Sequence, residues 1–136
     1  MIQRVTHTTV FVADQERAKR FYTEKLGFEV RSDELTGPFR WLTVGPKGQP
    51  DFELILMAVV PSPMMDEATV ATVQALLAKG VFGAGIFATA DCRRTFDELT
   101  AKGVEFMQPP TERHYGIEAL LKDDSGNWFS MCERKR

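Results

Sequence analysis

The sequence predicts an α+β fold in which two βαβββ modules curve their sheets around a shared cleft. Three observations predict it. Alternating segments rich in β-branched residues read as strands on either side of helical stretches. The order strand, helix, three strands occurs twice, over 1–60 and 81–136, with a linker and helix over 61–80 between the copies. The landmarks of the first copy return in the second. Asp14 and Asp91 lie 77 residues apart and Gly27 and Gly103 lie 76 apart, so the second helical region is one residue shorter.

Each element has a local reason. Val5–Val12 alternates as a strand, and Asp14 stands where a helix N-cap belongs. Ala18, Phe21, Tyr22 and Leu26 follow at helical spacing as a buried stripe, and Gly27 closes the helix. Phe28–Arg31, Phe39–Val44 and Phe52–Ala58 read as strands, the last two separated by the Gly-Pro-Lys-Gly-Gln-Pro turn at 45–50. Val59-Val-Pro-Ser-Pro63 breaks the pattern as a linker. Asp66–Lys79 then reads as a helix with Val70, Val73, Leu76 and Leu77 inward, ended by Gly80. In the second copy Gly85–Thr89 is a strand, Asp91 an N-cap, Phe96 and Leu99 a helical face, and Gly103 the close. Val104–Met107, Ile117–Lys122 and Trp128–Cys132 are its remaining strands, with Asp123–Asn127 a hairpin turn.

Composition bounds the function. A chain of 136 residues and 15.4 kDa is one domain large enough to fold without a staple. Hydrophobic residues at 43% and charged residues at 26% exclude a disordered chain or a coiled coil. The net charge of -2 and the lack of a basic stripe speak against a nucleic-acid partner. The longest apolar run, Leu54–Val60, is too short to span a membrane, and the first seven residues lack the apolar core of a signal peptide. Cys92 and Cys132 have no metal or redox spacing. Together these predict a cytoplasmic protein with free thiols.

The segments His7-Thr-Thr-Val-Phe-Val-Ala-Asp14, Phe21-Tyr22, Leu26-Gly-Phe28, Phe52-Glu-Leu54 and Asp123-Asp-Ser-Gly-Asn127 give the chain its family likeness. It resembles the vicinal oxygen chelate superfamily, which includes glyoxalase I, extradiol dioxygenases, fosfomycin-modifying enzymes and bleomycin-binding proteins. The resemblance covers nearly the whole chain, the helix at 66–79 least. It implies a cleft between paired modules. In metal-using members it also implies ligands on the first and last strand of each module. His7 and Glu53 match two such positions. The 77-residue offset puts Ala84 and Ser130 at the other two, and sliding by one replaces Ala84 with Gly85. Alanine and glycine side chains have no donor atom and serine is a poor one for a divalent metal, so two of the four expected ligands are missing. His7 and Glu53 are therefore read as vestigial positions, with no metal and no other cofactor expected. The alternative is a site for Zn, Ni, Fe or Mn completed by a rearranged donor such as His114, in the loop before the seventh strand.

Strand alternation puts Val5, Thr9 and Phe11 on the His7 face, Asp51 and Ile55 with Glu53, and Trp128 and Cys132 with Ser130. The candidate ligand-binding set is His7, Phe11, Trp41, Glu53, Tyr115, Trp128 and Ser130. That is an apolar, aromatic lining with few polar groups, which suits a small organic molecule. His7 and Glu53 are also the candidate catalytic pair, Glu53 holding the imidazole in one tautomer. Equally, the two form a buried structural pair. Phe21 and Tyr22 read as core, Trp128 and Phe129 as packing, and Glu118 as a carboxylate facing the edge. Cys132 lies on the cleft face without an evident activating base. Met64-Met65, beside Pro61 and Pro63, suggests a subunit contact. Three classes follow: a metal-free binder of a small organic molecule, an enzyme (a metal-dependent lyase or dioxygenase, or a metal-free one using His7 and Glu53), and a dimeric scaffold. The resemblance implies a homodimer, with the cleft within one chain or across two.

Overall fold

The computed structural model describes all 136 residues. The first module holds β1 (His7–Val12), α1 (Gln15–Arg20) extended by a π-helical turn over Phe21–Lys25, β2 (Glu29–Thr36), β3 (Phe39–Gly45) and β4 (Glu53–Ala58). Then come α2 (Glu67–Lys79) and the second module: β5 (Gly83–Ala88), α3 (Cys92–Ala101), β6 (Phe106–Arg113), β7 (Gly116–Lys122) and β8 (Trp128–Arg134). Each module forms a mixed four-stranded sheet of the same topology, β1-β4-β3-β2 and β5-β8-β7-β6. The first and last strand of each module pair in parallel, and the other pairings are antiparallel.

All three helices start on the predicted aspartates. Asp14, Asp66 and Asp91 each accept the backbone N–H three residues on, at 2.8, 2.8 and 3.0 Å. Gly27 and Gly103 have φ of 75° and 85°, the left-handed geometry that follows a helix end.

Two strands are longer than their patterns suggest. β2 runs to Thr36 because Ser32–Thr36 is paired with β3 although mostly polar and exposed. β6 runs to Arg113 through Pro109 and Pro110, with register shifts around them. Both lie at sheet edges, where a missing N–H or a polar face costs little.

One core of 16 buried residues runs through both modules. Val10, Val12, Leu42, Val44, Leu54 and Leu56 of the first sheet meet Ala18, Phe21 and Tyr22, and Ala119, Leu121, Phe129 and Met131 of the second sheet meet Cys92 and Leu99. Tyr22 joins the halves through an edge contact with Phe129, 6.4 Å between centroids. The turn at 123–127 also reaches across. Asp123 accepts the Tyr22 hydroxyl at 2.7 Å, Asn127 Nδ2 donates to the Phe11 carbonyl at 2.7 Å, and Ser125 Oγ accepts the Ala13 N–H at 2.9 Å. The modules therefore join through their helix-facing layers, and each sheet keeps a second face outside the shared core.

Candidate functional site

On the first sheet the parallel register sets His7 opposite Glu53. Alternation then puts both on the face away from α1, because Val10, Val12, Leu54 and Leu56 occupy the core face. His7 Nε2 lies 3.5 Å from Glu53 Oε1, with the side chains 36% and 24% exposed. The buried Thr43 donates its hydroxyl to the same carboxylate oxygen at 2.6 Å, and His7 Nδ1 lies 2.8 Å from Thr6 Oγ1. The Trp41 ring is 6.1 Å from the imidazole. An Nε2–H directed at Glu53 fits this geometry, and the Thr6 hydroxyl can serve Nδ1 as donor or acceptor. Both ring nitrogens then face groups of the chain itself, Thr6 on one side and Glu53 on the other.

On the second sheet Ser130 donates to Glu118 Oε2 at 2.7 Å. Arg113 Nε lies 3.7 Å from Glu118 Oε1, and Tyr115 shares the lining of the same cavity. The Ser130 bond holds the Glu118 carboxyl below its usual range, partial burial opposes it, and Tyr115 and Arg113 reinforce it. The carboxylate in turn raises the Tyr115 phenol above its ordinary value, so the hydroxyl stays a donor. Ile86, Tyr115, Glu118, Ser130, Cys132 and Arg134 line a cavity of about 310 Å³.

The structure thus divides the seven predicted ligand-binding residues. His7, Trp41 and Glu53 come together on the first sheet. Tyr115 and Ser130 come together on the second. Phe11 packs instead on the small cluster of Val59, Val70 and Leu77, which α2 lays over the far end of the first sheet. Trp128, at the start of β8, is half-buried over Gly83, where an added Cβ would lie 2.5 Å from the indole. A cavity between the modules, walled by Phe28, Phe52, Leu54, Phe87 and Phe129, is lined by none of the seven.

Three assignments need correction. Glu118 is not an edge carboxylate; it is the centre of the polar group on the second sheet. The five-residue turn carries the signal that finds it. Pairing Lys122 with Trp128 forces Glu118 opposite Cys132 and Leu120 opposite Ser130, which places Glu118 on the Ser130 face. The partner of Ser130 across the parallel ladder is Ile86, not Ala84. The ladder is irregular between Gly83 and Gly85, and this turns Ala84 toward the core. His114 sits at the tip of the β6–β7 hairpin in a polar cavity with Glu112, Arg113 and Glu133, apart from the His7 group.

Within one chain, the ligand positions that the resemblance implies are only half filled. His7 and Glu53 supply two donors, and Ser130 and Ile86 supply no strong one. Nowhere do three His, Cys, Asp or Glu side chains converge as a metal site would require.

A paired-module fold with open-faced sheets and a His–Glu pair on the first and last strands defines a family. Residues 4–131 match the Glyoxalase/Bleomycin resistance protein/Dioxygenase superfamily, and the chain belongs to it. It is similar to an uncharacterized Bacillus subtilis (strain 168) protein, YetH, at 32% identity over 136 residues, covering 98% of this chain and all of YetH. The crystal structure of UcmS2 superposes with a TM-score of 0.93 at 50% identity, covering 98% of this chain and 99% of that one. TnmS3, an antibiotic binding protein from Streptomyces sp. CB03234, superposes with a TM-score of 0.77 at 29% identity, covering 98% of each chain. No helix is long and apolar enough to cross a membrane.

Proposed function

We propose that this chain binds a small organic molecule of the antibiotic class and holds it without altering it. The observation that carries the reading is the pair of sheet faces. Each gathers a few convergent polar groups against an apolar or aromatic side chain, His7–Glu53–Thr43 beside Trp41 and Glu118–Ser130–Tyr115 beside Ile86. Such a lining orients a small ligand by a few directed hydrogen bonds. The likeness to TnmS3 over 98% of both chains supports the same class.

A binding site encloses most of its ligand. Here Ile86 is 67% exposed on the second face and His7 stands open on the first. A homodimer that sets the first face of one copy over the second face of another closes both, and the protein acts as that dimer. The His7–Glu53 contact also supports a second reading, a divalent-metal-dependent lyase or dioxygenase that draws further donors from a partner copy.

Titration with a panel of aromatic natural-product antibiotics, bleomycin included, separates the two. The binding reading expects saturable quenching of tryptophan fluorescence by at least one member, and recovery of that member unchanged by mass spectrometry. Trp41→Ala should weaken binding about tenfold, or about 1.4 kcal/mol. A chemically modified product that forms only with stoichiometric zinc, nickel, iron or manganese, and is lost in His7→Ala, would establish the enzyme reading instead.

A further inference from the structure

We infer that the cavity between the modules is a second binding site, separate from the His7 and Glu118 groups, for a flat aromatic molecule of about two fused rings bearing a hydrogen-bonding substituent. The cavity holds about 300 Å³. An apolar cavity of roughly 150 Å³ takes a single benzene ring, so this volume suits about two.

Its walls are aromatic. Phe28, Phe52, Phe87 and Phe129 surround it with Leu54. Phe87 and Phe129 stack at 4.3 Å with 16° between planes, and Phe28 stands edge-on to Phe87 at 5.6 Å. A planar guest extends this ring cluster by the same face and edge contacts. Thr8 and Gln49 bring a hydroxyl and a carboxamide to the lining, which fixes the orientation of one polar substituent.

The sequence makes the space deliberately small-sided. The β5 wall is Ala84-Gly85, and a Cβ added at Gly85 would meet only the Phe129 ring, at 3.8 Å. A leucine at 84 would take up part of the cavity. Ile86 is the one residue this cavity shares with the Glu118 cavity, so the two sites adjoin without sharing polar groups.

The test uses 1-naphthol and the full-length protein, with binding followed by isothermal titration calorimetry and by amide chemical shifts. Saturable one-to-one binding that perturbs the Thr8 and Gly85 amides is expected. Ala84→Leu should weaken it at least tenfold, while His7→Ala and Glu118→Gln leave it within twofold. Thr8→Phe, at an exposed position, blocks the mouth and repeats the loss should Ala84→Leu fail to fold. Binding that is non-saturable or absent, as when a second copy covers the mouth, overturns the inference. So does binding that survives both cavity-filling variants or disappears in His7→Ala. Because His7→Ala and Trp41→Ala report on antibiotic binding and the cavity-filling variants on naphthol, either reading can fail without the other.

Discussion

Glu118 shows how one side chain sets the chemistry of a face. Its carboxylate is kept charged first by the Ser130 hydroxyl, and then by Tyr115 and Arg113. A carboxyl whose pKa is lower in the native chain than in the unfolded one binds protons less readily when folded. It therefore adds stability fully above the unfolded value of about 4.3, and that stability is lost as pH falls through the lowered native value. Ser130→Ala removes the largest cause, so the Glu118 pKa should rise toward the ordinary range in a carbon-13 carboxyl titration. The stability gap between wild type and Ser130→Ala, read as urea midpoints, should be wider at pH 7 than at pH 3. An equal gap at both would mean the hydroxyl does not act through the charge. His7 is held differently, between Thr6 and Glu53 of its own module, which fixes the ring as a wall of the first face.

At the scale of elements, the one-residue difference between the two copies has a physical form. The first helical region runs from Gln15 to Lys25 and ends in a π-helical turn, while α3 is a plain ten-residue helix. The extra residue is absorbed by widening the last turn, seen in the bond from Leu26 N–H to the Phe21 carbonyl at 3.2 Å. This turn lets adjacent Phe21 and Tyr22 both be buried and brings Phe28 within ring contact of Tyr22 and Phe87. Deleting Thr23 should restore an α-helix like α3 and swing Phe28 off Phe87, at a cost of at least about 2 kcal/mol in urea unfolding. A wild-type midpoint in the deletion would show that the π turn has no positioning role. The offset was legible in the sequence because capping aspartates and closing glycines mark helix ends by local chemistry. So were the core strands, whose alternation records which face is buried. The polar end of β2 and the proline-bearing β6 were not, since edge pairing leaves no hydrophobic pattern. Nor was the irregularity at Ala84, which a count of residues passes over and which moved the partner of Ser130 from Ala84 to Ile86. Glu118 needed the β7–β8 register as well as the alternation of its own strand.

For the whole molecule, the turn at 123–127 decides whether two repeated modules behave as one body. Asp123 Oδ1 accepts the backbone N–H groups of Ser125, Gly126 and Asn127, each at 2.9 Å, so the turn is rigid before it touches the other module. Its other oxygen takes the Asn127 amide and the Tyr22 hydroxyl. Burial and the Asp123 charge push the Tyr22 phenol well above its ordinary value, so it remains a donor at any physiological pH. The bond crosses the modules inside a continuous core, and breaking it leaves that buried carboxylate oxygen with the Asn127 amide alone. Tyr22→Phe keeps the ring packing against Phe129 and removes only the donor. It should cost about 2 kcal/mol, the scale of a hydrogen bond to a charged group. Because the bolt and the core belong to both modules, the loss should lower the protection of β1 and of β8 amides alike, and calorimetry should still show one transition. Two resolved transitions in the wild-type protein, or protection lost from one sheet alone, would mean that the modules fold separately. The two sheet faces and the cavity between them could not then be held in the fixed relation that a two-sided binding site requires.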